Sequence, residues 1–354
     1  MHEIELHTHL EQAVLEEILQ LIEAATRIEG HRPVGEHKYA HLRVGAHNWV
    51  GVMAYNQAPQ GQGSGEAPQG QGHGEAPQGQ GHGAPTARDR LVGYAHTRWN
   101  AAGDRPRVAV EVVVHPDWYG SQVARALLEE TRSVLARAGG GLLYLWVHRV
   151  EDAGATLAAK LGFEIQRELA FMTRPLKTRH QDVPFPEGVT VRGYREGLDD
   201  AEFLRVNNAA FQSHPENGNW DVAEFAERRS RDWFDPQGLL MAWRGDELLG
   251  FHWTKWHAHD TDAVPAHEPV GEVYVLAVHP SAQGTGLGRA LLVAGLQYLY
   301  DRGCTQAILY VDCASTGAVA LYESEGFTTA YREVCYQDWV EPAGVPAADL
   351  LRPA

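Results

Sequence analysis

The sequence predicts an α/β fold used twice: two tandem domains, each a central mixed sheet flanked by helices. Three observations predict it. At 354 residues the chain has room for two domains of ordinary size. A set of residues recurs at one constant spacing of 164: His115-Pro116 with His279-Pro280, Gly120 with Gly284, Arg125-Ala126-Leu127-Leu128 with Arg289-Ala290-Leu291-Leu292, and Gly162-Phe163 with Gly326-Phe327. A single offset held over some fifty residues marks a duplicated domain. Within each copy, apolar strand-like runs alternate with helix-like periodicity, the pattern of layered α/β structure.

Each copy opens with a predicted helix, Gln12–Glu29 in the first and Asp199–Gln212 in the second. In the first copy two strand-like runs follow, at 48–55 and 91–97, separated by a break at 57–90. There EAPQGQGHG stands at Glu66–Gly74 and again at Glu75–Gly83, with APQGQGSG from Ala58. So much Gly, Gln and Pro cannot bury enough apolar surface to offset chain entropy, so the segment reads as a long loop extending a hairpin. The later elements match between copies. An apolar strand (109–114; 273–278) runs into His-Pro and a glycine-containing loop. A helix follows, with Leu287, Leu291, Ala294, Tyr298 and Leu299 at helical spacing in the second copy. A strand (142–147; 307–311), a short helix ending at Gly-Phe, and a last strand complete each copy. The domains are expected at 1–176 and 189–340, with a Pro-bearing linker at 177–188 and a tail at 341–354.

Composition excludes several classes. Hydrophobic residues make up 44%, enough for real cores. No apolar run is long enough to span a bilayer, and the acidic start Met1-His2-Glu3-Ile4-Glu5 is no secretory signal. A net charge of −16 would repel nucleic acid or an anionic membrane. Three cysteines, Cys304, Cys313 and Cys335, form no CxxC, which suits a reducing cytoplasm. The nineteen histidines are scattered, with no HExxH, so no metal is expected.

The chemistry points to one stretch. Gln283-Gly284-Thr285-Gly286-Leu287-Gly288-Arg289 follows a strand and opens a helix. Glycines let the backbone approach a ligand closely, and N–H groups at a helix start attract phosphate. No Lys-Ser/Thr follows, so this is not a Walker loop. The full pattern, V-x-P-x-x-Q-x-x-G-x-G-R-x-L-L and then A-x-x-L-Y-x-x-x-G-F (Ala318, Leu321, Tyr322, Gly326, Phe327), resembles the GNAT acetyltransferase superfamily. That resemblance implies acetyl-CoA as co-substrate. It assigns Leu276, Ala277 and Val278 to the pantetheine arm and Gln283, Gly284, Thr285, Gly286, Leu287, Gly288 and Arg289 to the pyrophosphate. It also places Ser315, Thr316, Gly317, Ala318, Val319 and Ala320 beside the coenzyme, with Ser315 where many relatives have Asn.

Acetyl transfer to an amine needs a base for the ammonium and an acid for the departing thiolate. Strand alternation puts Glu272 on one face with Tyr274 and Leu276, among apolar neighbours expected to raise its pKa toward that of a useful base. The resemblance places the general acid at Tyr322. A solvated strand-end carboxylate and a core tyrosine are the plain alternatives. At the repeat offset, Glu272 becomes Val108, Gln283 becomes Tyr119, Gly286 becomes Gln122, Gly288 becomes Ala124 and Tyr322 becomes Ala158. Base, acid and most of the loop vanish together, as expected of a non-catalytic copy.

Within the superfamily the chain resembles the tandem mycothiol synthase family of actinobacteria. The likeness rests on Asn207-Asn208-Ala209-Ala210-Phe211, His214-Pro215-Glu216, Gly250-Phe251-His252-Trp253-Thr254-Lys255 and Pro33-Val34-Gly35-Glu36-His37. It implies a small-molecule acceptor, the cysteinyl amine of 1-D-myo-inositol 2-(L-cysteinylamino)-2-deoxy-α-D-glucopyranoside. Its contacts would be Glu36, Glu216, Lys255, Glu272 and Tyr310, in a monomeric cytoplasmic chain. Two alternatives stay open: another acetyltransferase, acting on an aminoglycoside or a peptide N-terminus, and an acetyl-CoA-binding regulatory module without turnover.

Overall fold

The computed structural model describes residues 2–35, 39, 42, 49–56, 90–100, 106–149, 152–212, 219–257 and 268–344. Glu36, Glu216, most of the 57–90 insert and the end of the tail lie outside the described residues.

In chain order the first copy gives β1 (His2–His7), α1 (Gln12–Glu29), β2 (Trp49–Asn56), β3 (Arg90–Asn100), β4 (Arg107–Val114), α2 (Val123–Arg137), β5 (Gly141–Val147), α3 (Asp152–Lys160) and β6 (Glu164–Pro175). The second gives β7 (Thr190–Gly193), α4 (Asp200–Ala210), α5 (Val222–Arg229), β8 (Leu239–Arg244), β9 (Glu247–His257), β10 (Val270–Val278), α6 (Leu287–Asp301), β11 (Gln306–Asp312), α7 (Thr316–Ser324) and β12 (Thr328–Val340). The fold is α/β, and the repeat elements fall where the 164-residue spacing puts them. Strand β1 was not foreseen. β2 and β3 pair antiparallel, so the insert does join the two arms of a hairpin.

The chain packs as two compact units. One takes the residues to His148, Asp152–Glu164, and the chain from Tyr336; the other takes Arg149 and Ile165–Cys335. The first copy's last strand, β6, thus lies in the second unit from Ile165 on, while β12 is divided, its start in the second unit and its end, from Tyr336, in the first. In the first unit the strand order is β1-β2-β3-β4-β5, followed by the end of β12. In the second it is the start of β12, then β6-β11-β10-β9-β8-β7. Only β4–β5 and β10–β11 are parallel among the described pairings.

Burial follows periodicity. Ile18, Leu21, Ile22 and Ala25 lie along one stripe of α1 and pack with Met53, Tyr94 and Val113 of the first unit's sheet. In the second unit, Leu292, Leu296 and Leu299 of α6 cover one sheet face with Val273 and Leu309. Phe203 of α4 and Phe225 of α5 stack at 4.0 Å and cover the other face with Phe251 and Trp253. The linker is tied to the same unit: Gln297 donates to the His180 carbonyl at 3.0 Å and to Asp182 at 2.7 Å.

Candidate active site

The parallel strands β10 and β11 pair only from Val270–Glu272 against Gln306–Ile308. Past Glu272, β10 runs on to Val278 paired with β9 alone among the described residues. Backbone groups of a strand must find partners, so the β11-facing edge of Leu276, Ala277 and Val278 is open to an extended ligand. Glu272 stands where the two strands part.

The pairing of β10 with β9 is irregular. Glu272 opposes Lys255 and Val273 opposes Thr254, but Val275, not Tyr274, opposes Trp253. This bulge at Tyr274 corrects the expectation from simple alternation. Glu272 and Leu276 sit opposite Lys255 and His252, three residues apart on β9 and hence on opposite faces. Leu276 faces α6, where it packs near Leu287 and Leu291. Glu272 faces the other way, with Lys255. Tyr274 shares that side, its ring 5.3 Å from Trp253 and 4.9 Å from Trp233.

The charge state of Glu272 also differs from expectation. Its carboxylate accepts from His257 Nε2 at 2.8 Å and lies 3.6 Å from Lys255 Nζ. Burial works against ionisation, but the His257 hydrogen bond and the Lys255 charge outweigh it. The carboxyl is therefore held below the ordinary range, not raised. The apolar side chains read from the sequence matter less than two polar partners on the next strand. Lys255 is itself 5% exposed, and its ammonium lies 5.2 Å from the centre of the Trp233 ring. His257 was missed in the sequence; its one signal is that it shares a strand face with Lys255, two residues on.

The glycine loop is exposed at the start of α6. Gly284 has φ 76° and Gly286, the residue capping the helix, has φ 87°. Side chains rarely adopt this left-handed conformation, which accounts for glycine at both positions. No side chain caps the helix, so its first N–H groups point outward with the positive end of the dipole. Leu287 is buried beneath, Thr285 donates to the Ala282 carbonyl at 2.7 Å, and Gln283 donates to the Val278 carbonyl at 3.3 Å. A Cβ at Gly288 would meet Val278 at 3.5 Å, an ordinary contact. Arg289 pairs with buried Glu325, which His180 also contacts at 3.0 Å. Ser315 precedes α7, and Thr316, Gly317, Ala318, Val319 and Ala320 form its first turns. The loop and the open edge of β10 are fit to receive a diphosphate joined to an extended arm.

Tyr322 lies on α7 with its ring in the second unit's core, edge-on to Phe327 at 5.9 Å. Burial pushes its hydroxyl up to about 12, so it carries its proton at neutral pH. Tyr310 lies on the face that carries Glu272, two residues beyond Ile308, the strand partner of Glu272. The residue is 45% exposed, and burial of its hydroxyl, near Glu333, Tyr331 and Glu272, keeps it protonated. The structure thus brings Glu272, Lys255 and Tyr310 to one face.

Known acetyltransferases are similar to this chain in sequence and fold. The family model described as "Acetyltransferase (GNAT) family" matches residues 203–327. The mycothiol acetyltransferase of Acidothermus cellulolyticus is 36% identical over 330 residues, 92% of this chain and 91% of that one. Its counterpart from Frankia casuarinae is 39% identical, over 93% of this chain and 95% of that one. The chain belongs to the mycothiol acetyltransferase family. Among solved structures, a GCN5-related N-acetyltransferase from Sphaerobacter thermophilus superposes with TM-score 0.65 at 20% identity, covering 98% of both chains. A tandem GNAT protein from the clavulanic acid biosynthesis pathway also reaches 0.65, at 16% identity, covering 96% of this chain and all of that one. Both have the same fold.

For this family member the bulge also changes the comparison between copies. Strand β4 pairs with β3 without any register shift. Ala109 opposes Tyr144 on β5 as Glu272 opposes Ile308 on β11, and Tyr144 and Ile308 keep the repeat offset. The position matching Glu272 is therefore Ala109, one residue from the Val108 that constant spacing selects. The first copy still lacks a carboxylate there. Its Gln122 precedes α2 at φ −84°, without the left-handed turn of Gly286.

Proposed function

We propose that this chain transfers the acetyl group of acetyl-CoA to the cysteinyl amine of 1-D-myo-inositol 2-(L-cysteinylamino)-2-deoxy-α-D-glucopyranoside, making mycothiol in the cytoplasm. The observation that carries the reading is Glu272: a buried, ionised carboxylate at the parting of β10 and β11, beside Lys255 and His257. The family membership supplies the acceptor.

In this reading the open edge of Leu276–Val278 pairs with the pantetheine arm, while the loop Gln283–Arg289 and the start of α6 hold the pyrophosphate. The α7 residues Ser315–Ala320 flank the coenzyme. The acceptor arrives as an ammonium with a pKa near 8. Glu272, directly or through a water, takes one proton, and the freed nitrogen attacks the thioester carbon. The N–C bond forms, the C–S bond breaks, and Tyr322 gives its proton to the departing thiolate; the new amide nitrogen sheds its second proton to water, and solvent returns a proton to Tyr322. Glu272 is a weak base because its partners stabilise the anion, but a neighbouring anion also attracts the ammonium and holds it in place. Lys255 and Tyr310 contact the acceptor, with Glu36 and Glu216 as further carboxylates for its hydroxyls.

The acceptor carries both a thiol and an amine, so the product tests the reading. After incubation with acetyl-CoA and the cysteinyl glycoside, mass spectrometry should show one added acetyl group with the thiol still titratable. An S-acetylated or unchanged acceptor would overturn it.

A further inference from the structure

Glu325 takes no part in the transfer chemistry, yet it is tied to the phosphate loop. It follows the last residue of α7, where a negative charge opposes the helix dipole, and its side chain is only 2% exposed. Burial and dipole both disfavour a carboxylate, so its partners must hold it there. Arg289 Nε donates to Oε1 at 2.5 Å, and His180 Nε2 lies 3.0 Å from Oε2. The Glu325 charge also acts on Arg174 of β6.

Arg289 stands in the first turn of α6, the helix whose free N–H groups border the phosphate loop. Its side chain is 56% exposed, and among the described residues Glu325 is its hydrogen-bond partner, through Nε. The two amino groups of the guanidinium are left as donors, in the fork geometry that suits two phosphate oxygens. A long exposed side chain otherwise samples many rotamers and loses that freedom when it binds. By fixing the head group, Glu325 removes much of that loss in advance.

The first copy is an internal control. At the 164-residue offset Arg289 becomes Arg125 and Glu325 becomes Leu161. Arg125 keeps its place in the first turn of α2, but it pairs with Glu129, one turn along its own helix, at 2.7 Å. That copy also lacks glycine at the positions of Gly286 and Gly288. The arginine is thus present in both copies, while the buried carboxylate accompanies only the complete loop. A packing role alone is met by leucine; the charge goes with a phosphate to be gripped.

We propose that Glu325 is a positioning residue for acetyl-CoA binding: it holds the Arg289 guanidinium at the first turn of α6, so that the two amino groups meet the coenzyme's diphosphate. His180 braces the second carboxylate oxygen and so ties the linker to the same seat. This rests on the coenzyme placement proposed above. It adds to that placement a carboxylate that never touches the ligand.

The test is calorimetric titration of coenzyme A into wild type, Arg289→Met, Arg289→Lys, Glu325→Asp and the double variant Arg289→Met/Glu325→Asp. Glu325→Asp keeps the charge but draws it back by one methylene, so it changes position and not net charge. Arg289→Lys keeps a cation beside Glu325 and is the variant least at risk of misfolding, but its one ammonium cannot serve both carboxylate and diphosphate. Kd should rise about tenfold in Arg289→Met, and roughly threefold in Arg289→Lys and in Glu325→Asp. The double variant should bind within about twofold of Arg289→Met, because the carboxylate acts through the arginine. In turnover of the cysteinyl glycoside, the kcat/KM preference for acetyl-CoA over S-acetylpantetheine, which lacks the diphosphate and nucleotide, should fall by the same factors. A general loosening of the fold would lower both donors alike. An unchanged preference in Glu325→Asp, a Kd equal to wild type in Glu325→Asp or Arg289→Lys, or fully additive losses in the double variant would overturn the positioning role. An unchanged Kd in Arg289→Met would instead overturn the placement of Arg289 at the diphosphate, on which the proposal rests.

Discussion

Replacing Glu272 with Gln keeps the shape of the side chain and removes its charge, which separates two roles. As the proton acceptor, its loss should lower kcat by about 10²–10⁴, or roughly 3–5 kcal/mol of transition-state stabilisation. The structure also predicts a folding cost. Glu272 faces a buried Lys255 at 3.6 Å, and breaking such a pair typically costs about 3–5 kcal/mol. For a domain of this size that is a fall in Tm of about 10 °C. The double variant Glu272→Gln/Lys255→Met removes the unmatched charge and should recover most of the Tm but none of the kcat. The rate deficit of Glu272→Gln should also shrink above about pH 8, where the acceptor amine sheds its proton unaided. Thermal melts and rates at pH 6 to 10 would decide. If the double variant regains activity with stability, or the deficit is constant across that pH range, Glu272 holds the fold and not the proton.

Removing His257 as His257→Ala takes away a partner that keeps Glu272 ionised. The carboxyl pKa should rise, moving the acidic limb of the kcat/KM profile to higher pH; an unmoved limb would contradict the pairing. Because the folded pKa of Glu272 is depressed, its contribution to stability should be present above about pH 4.3, the ordinary value, and be lost as pH falls through the lower folded value. Acid melts of wild type against Glu272→Gln would show this. Gly286→Val forces a branched residue to φ 87° and should raise KM for acetyl-CoA by tenfold or more, while its mirror in the first copy, Gln122→Val, should not. Deleting residues 58–87 should leave kcat nearly unchanged, since the hairpin it shortens loses little closure entropy; a collapse would show that the insert serves the site.

The repeat made most of the second half of each domain legible. Its helices and strands recur at one spacing, and the glycine loop needs no tertiary information to be seen. Helix α1 was readable to its ends because its apolar stripe is continuous and Gly30 closes it in the left-handed region. That β6 joins the second unit while the end of β12 joins the first was not readable. A strand's alternation tells which face is buried but not which neighbour it joins. The bulge at Tyr274 was hidden for a related reason: Val273 to Val278 is apolar throughout, so one extra residue leaves the pattern intact. It reversed Leu276 relative to Glu272 and shifted the first-copy counterpart to Ala109. The pKa of Glu272 was misjudged because its controlling groups, Lys255 and His257, lie some fifteen residues away along the chain and become neighbours only through β9 pairing.

The most direct test of the central claim is kcat/KM for acetyl-CoA consumption across a panel of amines: the cysteinyl glycoside, L-cysteinamide, an aminoglycoside and a peptide N-terminus. The site described here predicts that the cysteinyl glycoside exceeds every other acceptor by at least tenfold, since it alone joins an α-amino group for Glu272 to a sugar whose hydroxyls Lys255 and Tyr310 contact. Equal or higher kcat/KM for the aminoglycoside or the peptide would contradict it.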